Sequence, residues 1–286
     1  MKRRSLLEKV IDRIAIGAGV SVFLSELRES YAAVSPDSNA TTKPPRVGTG
    51  GLVSREVTES RYVMTYEWTD RLQRRWRSTF ALDRTAYSEA AQEHHGYLGG
   101  FETAKTSRDV ERFAARLAAA DLMTEDAARP ISRTARLERA IGFVRSLGYT
   151  TDIDSKGVPD YVRTAEETLV DGRGDCEDLA YLLIGILSNP PFEYRTATVI
   201  PPGHMLAGVH GDDLPAVYAD TPTLPGNRYV AIESVTSRPV GSFQDDPVLL
   251  IYNDGIEYVD RSAIAEATGD VLRNPSEFQT IADLRG

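Results

Sequence analysis

The stretch DGRGDCEDLAYLLIGIL, residues 171–187, decides how the chain is read, because it joins a glycine turn and a charged cap to an apolar helix around Cys176. Gly172 and Gly174 permit a tight turn, and Asp175 is a favoured N-cap residue. Behind it, Leu179, Ala180, Leu182, Leu183, Ile186 and Leu187 leave no polar face, so the spacing predicts a buried helix and not a surface one. Cys176, the chain's one cysteine, then falls in the first turn with its thiol aimed back toward the loop. A helix N-terminus carries partial positive charge, which favours thiolate over thiol and lowers a cysteine pKa from about 8.5. The expectation is a thiol set up as a nucleophile.

Bulk properties narrow the classes around it. At 286 residues the chain can bury a real core, as one large domain or two small ones. A formal net charge of −9 offers nothing to neutralise phosphates in bulk, so no nucleic-acid partner is expected. Only Lys2, Lys9, Lys43, Lys105 and Lys156 are lysines, and an acidic, lysine-poor surface fits a salt-rich habitat or a GC-rich genome. One cysteine excludes an intramolecular disulfide and any multi-thiolate zinc site. His94, His95, His204 and His210 leave little room for another kind of metal centre, so neither metal nor cofactor is expected. His94-His95 ends a polar helix and reads as a solvated pair.

Along the chain, Arg3-Arg4 followed by Ser5, Leu6 and Leu7 resembles a twin-arginine export signal. The apolar run 14–24 is too short to span a bilayer but suits a signal h-region, with Ser30 and Ala32 marking cleavage before Ala33. Residues 1–32 are therefore expected to be an export signal, with no transmembrane helix in the mature chain. The alternative is an amphipathic first helix on a cytoplasmic protein. Polar, Pro/Gly-rich residues 33–53 read as a linker, leaving 54–286 as the folded domain. Alternating segments at 62–68 and 76–82 predict a β-hairpin. Helices are expected at 87–97, 107–123 and 132–147, the last stopped by Gly148. Strands are expected at 193–200, 204–209, 228–235, 248–252 and 256–259, with Asn253-Asp254-Gly255 as a tight turn. The tail from Ser262 reads as helical at first. Helices precede an antiparallel sheet, which is the α+β order.

A cysteine nucleophile needs a base for its proton and a third group to orient that base. His204 opens a strand directly after a turn, where its side chain can face a cleft. Glu233, late in a strand that can pair with it, is preferred as orienter over Asp220 in a Pro-rich loop.

Five blocks resemble, in order, those of prokaryotic members of the transglutaminase-like family in the papain-like cysteine peptidase superfamily. They are FVRSLGYTTD (143–152), ETL (167–169), GDCEDLA (174–180), GHMLAGV (203–209) and YVAIES (229–234). The resemblance is strong over 137–241 and looser back to Tyr62. It implies a papain-like α+β fold with N-terminal helices and a nucleophile helix packed on an antiparallel sheet. It also implies thiol acyl transfer with Cys176 as nucleophile, His204 as base and Glu233 as orienter, although many relatives have Asp at the last position. The Cys176 backbone N–H is a natural first oxyanion donor; the glutamine that papain-like enzymes place before the cysteine is absent, and Tyr149 is a candidate second donor. A thioester resolved by water makes a peptidase or amidase, and one resolved by an amine makes a cross-linking enzyme. The substrate would be a peptide or protein, with an amine acceptor in the second case. The acidic loop 211–227 weakly favours cationic or amine-bearing substrates. The alternative of another class is a catalytically silent binding or scaffold module at the cell surface.

Overall fold

The computed structural model describes residues 50–92, 97–123, 132–158, 161–201, 204–224, 227–242 and 247–260. The export-signal stretch, most of the linker stretch, His94-His95 and the tail from Ser262 lie outside them.

Strands β1 (Leu52–Val57), β2 (Arg61–Thr69), β3 (Arg75–Asp83) and the short β4 (Asp121–Leu122) form one antiparallel sheet in that order. Alternation along β2 and β3 turns Tyr62, Met64, Tyr66 and Trp68, then Trp76, Phe80 and Leu82, onto one buried face. Helices α1 (Arg84–Ala90), α2 (Tyr97–Thr106), α3 (Arg108–Ala118) and α4 (Arg133–Ser146) follow. Phe113 of α3 and Phe143 of α4 meet that face: Phe143 lies edge-on to Tyr66 at 5.1 Å and to Trp68 at 5.4 Å between ring centroids.

The middle of the chain is short and polar. β5 (Gly148–Tyr149) pairs in parallel with β6 (Arg173–Gly174), and between them lie α5 (Asp152–Ser155) and α6 (Ala165–Asp171). Helix α7 (Cys176–Ser188) comes next, buried from Glu177 to Leu187 as its all-round apolar sequence requires. It packs against α2, α3, α4 and α6 on one side and against β7 (Thr196–Ile200) and β8 (Leu206–His210) on the other. β7 and β8 belong to a second antiparallel sheet, ordered β11-β10-β7-β8-β9, completed by β9 (Tyr229–Ile232), β10 (Leu250–Tyr252) and β11 (Ile256–Val259). The architecture is mixed α+β with antiparallel sheets around one buried helix. No helix among the described residues is long and apolar enough to cross a membrane.

Several expectations are corrected in detail. β1 begins at Leu52, inside the stretch read as linker. The helix expected over 87–97 is α1, which ends at Ala90, and α2 behind it has no counterpart in the sequence reading because its Gly99-Gly100 pair hides the periodicity. The helix expected to reach Met123 stops at Ala118, and Asp121-Leu122 joins the sheet. The strand expected over 228–235 ends at Ile232, so Glu233 lies just beyond it.

Gly185 of α7 lies close against α2. A Cβ there would sit 2.6 Å from the Ala104 carbonyl oxygen and 2.9 Å from a Val110 methyl. Gly185→Ala is expected to destabilise the fold by about 1–3 kcal/mol, as overpacking does, seen as a lower denaturation midpoint. An unchanged midpoint would contradict this packing.

Candidate active site

Cys176 is the first residue of α7, and its half-buried thiol stays at the loop end. β7 and β8 pack on the same helix, and the Met205 backbone, next to His204, eases negative charge on the Cys176 sulfur. His204 sits two residues before β8 begins, and its Nε2 lies 3.0 Å from Glu233 Oε2. β8 and β9 are paired through Ala207 and Ile232, so the ends of neighbouring strands carry the two side chains together. Glu233 Oε1 accepts from the Val235 backbone N–H at 2.8 Å. Burial works against the Glu233 charge, but the bonds from His204, Val235 and Thr236 outweigh it and hold the carboxyl below its ordinary value. With Nε2 committed to Glu233, Nδ1 is the remaining basic nitrogen of His204. Asp220 is an exposed residue of the 211–227 loop. Tyr149 is 56% exposed on β5, whose backbone pairs with Gly174.

The thiol itself departs from expectation. Its pKa is pushed up, not down: burial is the main cause, followed by the negative charges of Glu177 and Asp175. The thiol donates to Glu177 Oε2 at 3.1 Å, which holds the proton in place. The helix-terminus effect is real but small beside desolvation and two adjacent carboxylates.

Those carboxylates belong to a group with no single sequence motif, because Asp152 lies far along the chain from the other two. Asp152, Asp175 and Glu177 each offer an oxygen within 4.8 Å of the others. Burial and neighbouring acids push Asp152 up to about 8 and raise Asp175 and Glu177 as well. Asp175 Oδ1 is buried without a hydrogen-bond partner among the described residues. An all-oxygen, all-carboxylate donor set suits a hard divalent cation such as calcium, which takes six to eight oxygens. The readable signal was the pair of acids flanking Cys176, with Asp152 closing the block 143–152.

Behind the cluster, Arg163 is fully buried. It donates from Nη1 to Asp152 Oδ1 at 3.0 Å and to Asp178 Oδ2, while its backbone N–H donates to Asp178 Oδ1 at 2.8 Å. Asp178 Oδ2 accepts from the Asp175 N–H, so Arg163 ties the 150–164 segment to the first turn of α7. The loop 211–227 is likewise anchored: Tyr218 bonds to Glu138 of α4, which also pairs with Arg71 at 2.7 Å.

Comparison with known proteins finds distant likeness. No family model matches the chain, and no curated protein matches it. Among solved structures there is distant similarity to Legionella pneumophila LapG, at 18% identity, covering 62% of this chain and 94% of that one, with a TM-score of 0.34. A calcium-bound structure of LapG is similar at 17% identity, covering 61% of this chain and 98% of that one, with a TM-score of 0.31.

The raised acids make a pH prediction. A carboxyl whose folded pKa exceeds its unfolded value holds its proton more tightly when folded, so stability falls as pH rises from 3.8 toward about 8. Asp152→Asn is expected to flatten that fall in chelator-treated protein, while costing stability at every pH through the weakened buried bond from Arg163. Urea titrations across pH measure this; parallel curves for the two proteins would contradict it.

Proposed function

We propose that the chain is a cysteine-dependent hydrolase of peptide or side-chain amides that works through a thioester. The observation that carries this reading is the His204–Glu233 bond of 3.0 Å, at the edge of the strand β8 that packs on the helix Cys176 begins. The ordered sequence blocks around Cys176, His204 and Glu233 support it independently.

In this mechanism the Cys176 thiol gives its proton to His204 Nδ1 as sulfur attacks the amide carbonyl carbon. Glu233 holds the ring through Nε2 and stabilises the imidazolium. The tetrahedral oxyanion lies against the Cys176 backbone N–H at the start of α7, where the helix end adds favourable charge. His204 returns the proton to the leaving amine as the C–N bond breaks, leaving a thioester. His204 then deprotonates a water, which attacks the thioester carbon, frees the carboxylate and restores the thiol. Asp152, Asp175 and Glu177 would hold a calcium ion, whose positive charge offsets the carboxylates that raise the thiol pKa. We propose also that the chain is exported, on the twin-arginine-like start of its sequence.

Two measurements test this reading. In calcium-containing buffer at neutral pH, iodoacetamide should alkylate Cys176 faster than a free thiol. His204→Ala should slow amide cleavage about 100-fold or more, and Cys176→Ala should abolish it; alkylation no faster than a free thiol in parent and variant alike would refute an active nucleophile. Calcium at about 100 times its Kd should stabilise the parent by about 2.7 kcal/mol, seen as a rise in melting temperature that EDTA reverses. That rise should vanish in the Asp175→Asn/Glu177→Gln double variant, and a chelator-insensitive parent would refute the cation site.

A further inference from the structure

The acid of the proposed triad lies beyond the end of its strand, where the sheet no longer holds it. The β8–β9 ladder ends at Ile232, and residues 233–238 form neither helix nor strand. Within its own loop, Glu233 accepts from the Val235 backbone N–H at 2.8 Å. Ser234 is fully buried, yet its hydroxyl has no hydrogen-bond partner among the described residues, so that side chain does not tether the segment.

One side chain from a distant element does. Arg145, near the end of α4, donates from Nε to the Glu233 carbonyl oxygen at 3.0 Å and from Nη2 to the Arg238 carbonyl oxygen at 2.6 Å. A single guanidinium edge thereby spans the segment and grips both its ends. The fork is rigid and planar, so two carbonyls set its plane and its plane sets them. Its base is rigid too, because Leu137, Ile141, Phe143 and Val144 anchor α4 in the core. The carboxylates of Glu138 and Glu233 face the half-buried cation and offset its charge.

We infer that Arg145 is a positioning residue, which acts on the nucleophile through Glu233 by fixing the 233–238 segment at the height where the carboxylate meets His204. The inference rests on the triad reading above. Arg145 touches neither thiol nor imidazole, and its backbone bonds set where the carboxylate starts from.

The test is a double-mutant cycle on the alkylation rate of Cys176, the chain's only thiol, in full-length protein at neutral pH with calcium chloride. Arg145→Ala is expected to slow alkylation about tenfold, within what a displacement of about 1 Å can cost. In a Glu233→Gln background the same change should slow it less than about twofold, because residues acting through one another are not additive. Arg145→Lys keeps the charge but not the fork, so it should slow alkylation about threefold. It carries the same cycle if the alanine variant lacks a native circular dichroism spectrum. Equal slowing in both backgrounds would mark general loosening and overturn the inference, as would no slowing in either. If Glu233→Gln slows alkylation and Arg145→Ala does not, the positioning role alone falls. If Glu233→Gln leaves the rate unchanged, the triad reading falls and takes this inference with it.

Discussion

The burial of Arg163 is the constraint on which the arrangement depends. An apolar helix in the middle of a core must begin somewhere polar, and α7 begins with Asp175, Glu177 and Asp178. Asp178 is fully buried, and Asp152 nearly so. Removing one partner of a buried pair typically costs 3–5 kcal/mol. Arg163 answers both acids at once, while Lys156 answers Glu167 at 2.7 Å and Asp171 at 3.3 Å. These bonds pull the 150–164 segment and α6 onto the start of α7, so the residues around the thiol are set by charge pairing as much as by apolar packing.

The same burial makes the reactivity of the Cys176 thiol conditional. A helix N-terminus favours thiolate, but it acts against desolvation and against two carboxylates one residue away on either side. A thiol bonded to Glu177 is a poor nucleophile, and three acids crowded within 4.8 Å are a poor resting arrangement. Both problems have one remedy, positive charge among the oxygens. In the proposed function, reactivity and cation binding are therefore one electrostatic problem.

Much of the fold was legible in the residues. The hairpin of β2 and β3, helix α4, helix α7 and the strands of the second sheet follow from alternation, helical spacing and turn residues, because each buries one face or all faces consistently. α2 was missed because Gly99-Gly100 lies inside it, and β1 because a Pro/Gly-rich run leads straight into it. Cys176, His204 and Glu233 stood out by type and by position relative to turns. Asp152, Arg145 and Arg163 did not, since an arginine on an amphipathic helix reads the same whether it meets water or two distant carbonyls.

By itself the sequence determined the α+β order, the buried helix and the cysteine at its start, because burial and turn chemistry are local properties of neighbouring residues. Tertiary structure alone decided that the carboxylate on His204 is Glu233 and not Asp220, since strand register brings Ile232 beside Ala207 and leaves Asp220 exposed in its loop. It alone decided the sign of the thiol's pKa shift. Helix polarity can be read from a few residues, whereas desolvation of the thiol and its bond to Glu177 exist only once the chain has closed around them.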